Sequence, residues 1–167
     1  MSFKDWTYCN TFFQNPNNHT QENYLNVVKQ NGFALKFVKN QTDQICLEAV
    51  KEYTYALKYV KNQTDQICLE AVKQYAYALK FVKNQTPEIC LEAIKQDGYA
   101  LKYVKNQTPE ICYFALKQQP NVKKYVTIDM DLVNNYIEID NTINEISYEY
   151  TDDIIELDEN GLLEICI

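Results

Sequence analysis

The chain contains no arginine: all sixteen of its basic residues are lysine. A lysine ammonium is a point charge. The bidentate guanidinium contacts that read phosphate or guanine are therefore excluded. Only three glycines occur, too few for a glycine-rich phosphate loop, and His19 is the single histidine. No Ser or Cys stands beside His19 in a setting that would make a nucleophile, so it reads as a satisfied loop residue. No apolar run approaches the eighteen or so residues needed for a membrane span. Charge arrives at once in Met-Ser-Phe-Lys-Asp-Trp with no apolar stretch behind it, so no signal peptide is expected. The expected setting is cytoplasmic and not secreted, with no membrane partner.

What is present in quantity is repetition. Val-Lys-Asn-Gln-Thr begins at Val38, Val60, Val82 and Val104, each start 22 residues after the last. Four near-identical units follow: 31–52, 53–74, 75–96 and 97–118. Residues 20–30 match the second half of a unit, and Lys124, Tyr125 and Val126 fall on its Lys-aromatic-Val phase. The chain divides into an N-terminal cap segment (1–19), a repeat array (20–118) and an acidic remainder (119–167). Net charge follows this division. Residues 31–118 carry +3 and residues 119–167 carry −10, within a whole-chain charge of −7.

Within a unit, Ala34, Leu35 and Val38 form one apolar stripe. Ile89, Cys90, Ala93 and Ile94 form another. The Thr before the second stripe is an N-cap, and Pro87 and Pro109 follow it where proline loses no hydrogen bond. Two short helices per unit result, roughly Phe33–Lys39 and Pro87–Lys95. A single helix of about twenty residues is the alternative, since a glycine inside it would cost only about 1 kcal/mol. Either way the units must stack, because one short amphipathic unit cannot bury its stripe alone. Asn-Gln-Thr fits the glycosylation sequon but reads better as helix stop, spacer and helix start.

The run F/Y-A-L-K-F/Y-V-K-N-Q-T-x-E-I-C-L-E-A-V-K-Q closely resembles an uncharacterised tandem-repeat family found mostly in giant amoeba-infecting DNA viruses. The resemblance spans about residues 20–118. It implies a helical repeat fold and a viral protein working in the host cytoplasm or the virion, and it brings no catalytic residues.

Cys46, Cys68, Cys90 and Cys112 share one repeat phase, with Cys9 and Cys166 outside it. Ligands 22 residues apart are not a zinc pattern, and stacked units hold equivalent Cα atoms about 8–10 Å apart, beyond disulfide reach. They read as core thiols; no metal and no cofactor are expected. Glu48/Lys51 and their copies read as exposed ion pairs. Tyr113 and Phe114 replace Leu and Glu of the other units, which suggests that the last unit is covered.

The candidate functional feature is a surface. Lys36/Lys39, Lys58/Lys61, Lys80/Lys83 and Lys102/Lys105 are pairs three apart, each sharing a helix face. Aromatics at 33/37, 55/59, 77/81 and 99/103 flank them, among them Tyr55, Tyr59, Tyr77, Tyr99 and Tyr103. Phe and Tyr exchange at these positions between units, as at a site whose edge meets water or a partner. Stacking turns this into a lysine ladder with aromatic edges, suited to an unidentified protein partner. A single nucleic-acid strand is the less suited alternative, or a virion structural role.

Beyond Pro120 the pattern changes. Val126, Ile128, Met130 and Leu132 alternate with polar residues, and Ile137/Ile139, Ile146/Tyr148/Tyr150, Ile155/Leu157 and Leu163/Ile165/Ile167 repeat the period. Asn134-Asn135 and Asn160-Gly161 read as hairpin turns. The expected overall fold is therefore mainly α, an α-solenoid-like array with a small antiparallel β-rich C-terminal module. An acidic helix around Glu145–Glu156 is the alternative for that module. No enzyme is expected: acid pairs such as Asp152-Asp153 read as solvated charge.

Overall fold

The computed structural model describes residues 11–15 and 19–152. After a helical turn at 11–14, six α-helices alternate with five 3-10 helices. The α-helices are α1 (Gln21–Gln30), α2 (Asp43–Glu52), α3 (Asp65–Gln74), α4 (Pro87–Gln96), α5 (Pro109–Gln118) and α6 (Met130–Asp152). Between them run η1 (Gly32–Phe37), η2 (Thr54–Tyr59), η3 (Ala76–Phe81), η4 (Gly98–Tyr103) and η5 (Pro120–Tyr125).

Each unit thus folds as two short helices, and the first is a 3-10 helix. Thr42, Thr64, Thr86 and Thr108 each accept the backbone N–H three residues on, capping α2 to α5. Pro87 and Pro109 occupy the first turns of α4 and α5. Each of α1 to α5 ends in extended backbone, as at Tyr75 (φ −154°, ψ 107°), which makes a single continuous helix per unit impossible. Each 3-10 helix ends likewise at its Val: Val38 has φ −72° and ψ 116°. The stop therefore comes two residues before Asn40.

Successive α-helices pack side by side in one layer and successive 3-10 helices in a second. The core fills the space between them. Leu35, Leu57, Leu79 and Leu101 enter from the 3-10 layer; Ile45, Ile67, Ile89 and Ile111 enter from the α layer. All eight are sealed from solvent. Truncating one such Leu to Ala would cost about 3 kcal/mol. The repeat cysteines Cys46, Cys68, Cys90 and Cys112 lie in this core as free thiols.

The expected β-rich C-terminal module is wrong. Residues 130–152 form α6, and no strand occurs among the described residues. Asn134-Asn135 lies inside the helix rather than at a hairpin turn. Ile137 and Ile139 fit an alternating pattern, but Val133, Tyr136, Ile137 and Asp140 share a helical face, and the helical face is the one that packs. Val133 is fully buried, Tyr136 lies 5.6 Å from the ring of Tyr113, and Asp140 accepts the Tyr113 hydroxyl at 2.8 Å. The last unit is thus covered where Tyr113 stands, while Phe114 remains 38% exposed. The expected strands after residue 152, and the turn at Asn160-Gly161, lie outside the described residues.

Candidate functional site

The side chain of Gln41 is half-buried between units. Its Nε2 donates to Leu35 O (3.4 Å) in its own unit and to Tyr59 O (3.0 Å) in the next; its Oε1 accepts from Lys61 N (2.9 Å). The Cys46 thiol points at the same oxygen, 3.7 Å away. Gln63 makes the same set with Leu57 O, Phe81 O, Lys83 N and Cys68. Gln85 makes it with Leu79 O, Tyr103 O, Lys105 N and Cys90. Gln107 closes the series on Tyr125 O and Thr127 N. The glutamine is therefore a staple that binds main-chain groups at the ends of 3-10 helices in two successive units. It is more than a spacer between helix stop and helix start.

Burial pushes each of the four repeat thiols up to about 11; Asp43 adds to this at Cys46 and Asp65 at Cys68. Such thiols stay protonated at neutral pH and are poor nucleophiles. Among the described residues no group of three or more His, Cys, Asp or Glu side chains is placed to hold a metal ion. His19 is tied by Tyr24 Oη at 2.8 Å and Phe13 O at 3.1 Å. The carbonyl can only accept, so Nε2 carries the proton toward it. Of the Glu/Lys pairs, Lys51 meets Glu48 at 3.1 Å, while Glu70 accepts from Gln74 instead.

The two lysines of each pair have different environments. The second lysines reach back across the repeat. Lys61 Nζ donates to Lys39 O (2.6 Å), Lys83 Nζ to Val60 O and Lys61 O (3.0 and 2.8 Å), and Lys105 Nζ to Val82 O and Lys83 O (2.9 and 3.0 Å). These three cations hold the array together. Lys39 is the first of their column and supplies a carbonyl to it.

The first lysines stand over aromatic rings. Lys36 lies 5.7 Å from the centre of Phe33 and 5.8 Å from Phe37, and Lys58 lies 4.7 Å from Tyr59. Lys80 covers Tyr55 (5.1 Å) and Phe81 (4.7 Å); Lys102 covers Tyr77 and Tyr103, both at 4.7 Å. The rings form rungs between units: Phe33 with Tyr59, Tyr55 with Phe81, Tyr77 with Tyr103, and Tyr99 with Tyr125, at 5.5, 5.5, 5.7 and 6.3 Å. The rings are half-buried and the four lysines exposed. The column is therefore a row of ammonium groups on an aromatic floor, each contact worth about 0.5–1 kcal/mol.

Lys124, 5.1 Å from the Tyr125 ring, extends the column by one place. Tyr53 and Tyr75 widen the floor: Tyr55 lies between them, 5.7 Å from each, and both are exposed. The sequence pattern did not place these two on the surface feature. The next copy has Asp97 at that position. It accepts the Tyr77 hydroxyl at 2.6 Å, a bond that pushes the Tyr77 phenol up to about 12.

Comparison with known families finds a likeness. Residues 43–86, and again 65–108, match a domain of unknown function, DUF4116, the two spans being offset by one repeat. The chain is similar to that domain over its central units. No curated protein and no solved structure matches. Among the described residues no helix is long and apolar enough to cross a membrane.

Proposed function

We propose that this is a non-enzymatic repeat scaffold whose lysine–aromatic face docks a protein partner. The observation that carries the reading is the column Lys36, Lys58, Lys80 and Lys102, exposed over half-buried rings that cross from unit to unit. Fixed point charges above apolar ring edges suit a surface that offers carboxylates beside apolar side chains. The second lysines are spent on main-chain carbonyls, so they act in the scaffold and not in docking. The resemblance of the repeats to a giant-virus family adds a host-cell setting to the proposal.

Single-stranded nucleic acid is the rival occupant, because interleaved lysines and aromatics can contact phosphates and stack bases. Capture from host lysate decides between them. The full chain is compared with a Lys58→Glu/Lys80→Glu/Lys102→Glu variant, each with and without nuclease. Proteins that survive nuclease and are lost in the variant support the reading. Capture that vanishes with nuclease overturns it in favour of nucleic acid.

A further inference from the structure

On α6, the exposed flank beside the packed face is not apolar-free. Leu132, Ile139 and Ile143 are 53%, 59% and 59% exposed, among the largest exposed apolar side chains described. They form a stripe, and a shallow groove runs along it between Asn135, Glu138, Ile139, Thr142 and Ile143. Beside the stripe stand the exposed carboxylates of Asp131 and Glu138, seven residues apart. The sequence continues that spacing with acids at 145 and 152.

Seven residues of α-helix rise about 10.5 Å. Neighbouring packed helices stand about 8–10 Å apart, which sets the step of the lysine column. Asp131 and Glu138 thus stand along α6 at nearly the interval at which Lys36, Lys58, Lys80 and Lys102 recur along the array. Charge agrees: residues 119–167 carry −10 and residues 31–118 carry +3. The apolar stripe next to the acids would meet the ring edges next to the lysines.

We propose that the C-terminal helix of one copy of this chain docks along the lysine–aromatic column of a second copy. The inference rests on the reading of that column as a protein-docking face, and it names the occupant. The contact forms between copies because α6 is fastened to α5, in the α layer, through Val133 and the Tyr113–Asp140 bond. The column lies on the 3-10 helices, in the other layer.

Sedimentation velocity of the full chain tests this. Self-association is expected at about 50 mM NaCl and should weaken at least about tenfold at about 500 mM, as ion pairs at a partly wet interface are screened. Lys58→Glu/Lys80→Glu should abolish it. So should Asp131→Lys/Glu138→Lys. An equimolar mixture of the two variants should associate again, because the reversed helix meets the reversed column. Restoration in the mixture excludes misfolding as the reason either variant fails alone. A wild-type chain that stays monomeric at low salt overturns the inference, as does association that survives both reversals. If the wild type is monomeric yet the column variant still loses its nuclease-resistant partners, this inference fails and the docking face stands.

Discussion

The side-chain carbonyl of Gln85 accepts the backbone N–H of Lys105 at 2.9 Å, twenty residues on and in the next unit. The same side chain donates to Leu79 O and Tyr103 O at 3.1 and 2.9 Å. One amide therefore satisfies three main-chain groups from two units. Gln85→Ala removes the bonds to Tyr103 O and Lys105 N, while Leu79 O keeps its bond from Val82 N, and should destabilise the protein by about 1–2 kcal/mol. Gln85→Glu should be worse at neutral pH, since a carboxylate would face two carbonyl oxygens. Urea unfolding midpoints of the two variants check both statements.

The lysines divide by role, and the division is measurable. Lys83→Ala removes donors to Val60 O and Lys61 O and should cost about 1–2 kcal/mol. Lys80→Ala loses exposed ring contacts and should cost under about 1 kcal/mol. Binding should respond in the opposite order, with Lys80→Ala the more damaging. Unfolding and capture measured on the same two proteins would reveal any reversal.

Gly32 and Gly98 hold equivalent positions, but their surroundings differ. A Cβ at Gly32 would run into Ala49 O and meet Tyr53 Cβ at 2.7 Å. At Gly98 the nearest atoms, Ala115 O and Gln118 Oε1, stand at 3.0 Å, and the latter ends a flexible side chain. The middle units carry Thr54 and Ala76 at this place. Gly32→Ala should therefore cost about 1–3 kcal/mol by overpacking, and Gly98→Ala distinctly less. Thermal melts of the two variants give the comparison directly.

The buried thiols make the fold sensitive to alkali. Cys46, Cys68, Cys90 and Cys112 ionise near 11 in the folded chain, against 9.0 as the ordinary value. Between these values the unfolded chain loses thiol protons that the folded chain keeps. Ionisation therefore favours unfolding, and stability is full below pH 9 and falls as pH rises toward 11. The urea midpoint should drop between pH 8 and pH 10.5. The drop should shrink in a chain with Cys→Ala at all four positions.

Much of the array was legible because its signals are local. The Thr caps, the prolines at helix starts and the core phase of the cysteines follow from residues within one turn of each other, and the 22-residue period from the copying of whole units. The 3-10 character of the first helix was not, since six residues are too few for apolar spacing to separate the two helix types. The glutamine staple escaped because its partners lie 18 and 20 residues away and are main-chain atoms. Lys61, Lys83 and Lys105 were indistinguishable from Lys58, Lys80 and Lys102 for the same reason. The C-terminal helix was misread because Ile137 and Ile139 keep a strand period, while Val133, Tyr136 and Ile137 keep a helical one. The helical face is the one that meets Tyr113, in a different element.

The glutamine staple makes its inter-unit bonds to main-chain atoms alone. A unit fastened this way places little demand on the side-chain identity of its neighbour at that seam. Copies can be gained or lost in whole multiples of 22 residues while each new junction finds its hydrogen bonds ready. The near-identity of the units is then what gene-level copying leaves behind when the seams tolerate it, and array length becomes a quantity free to vary.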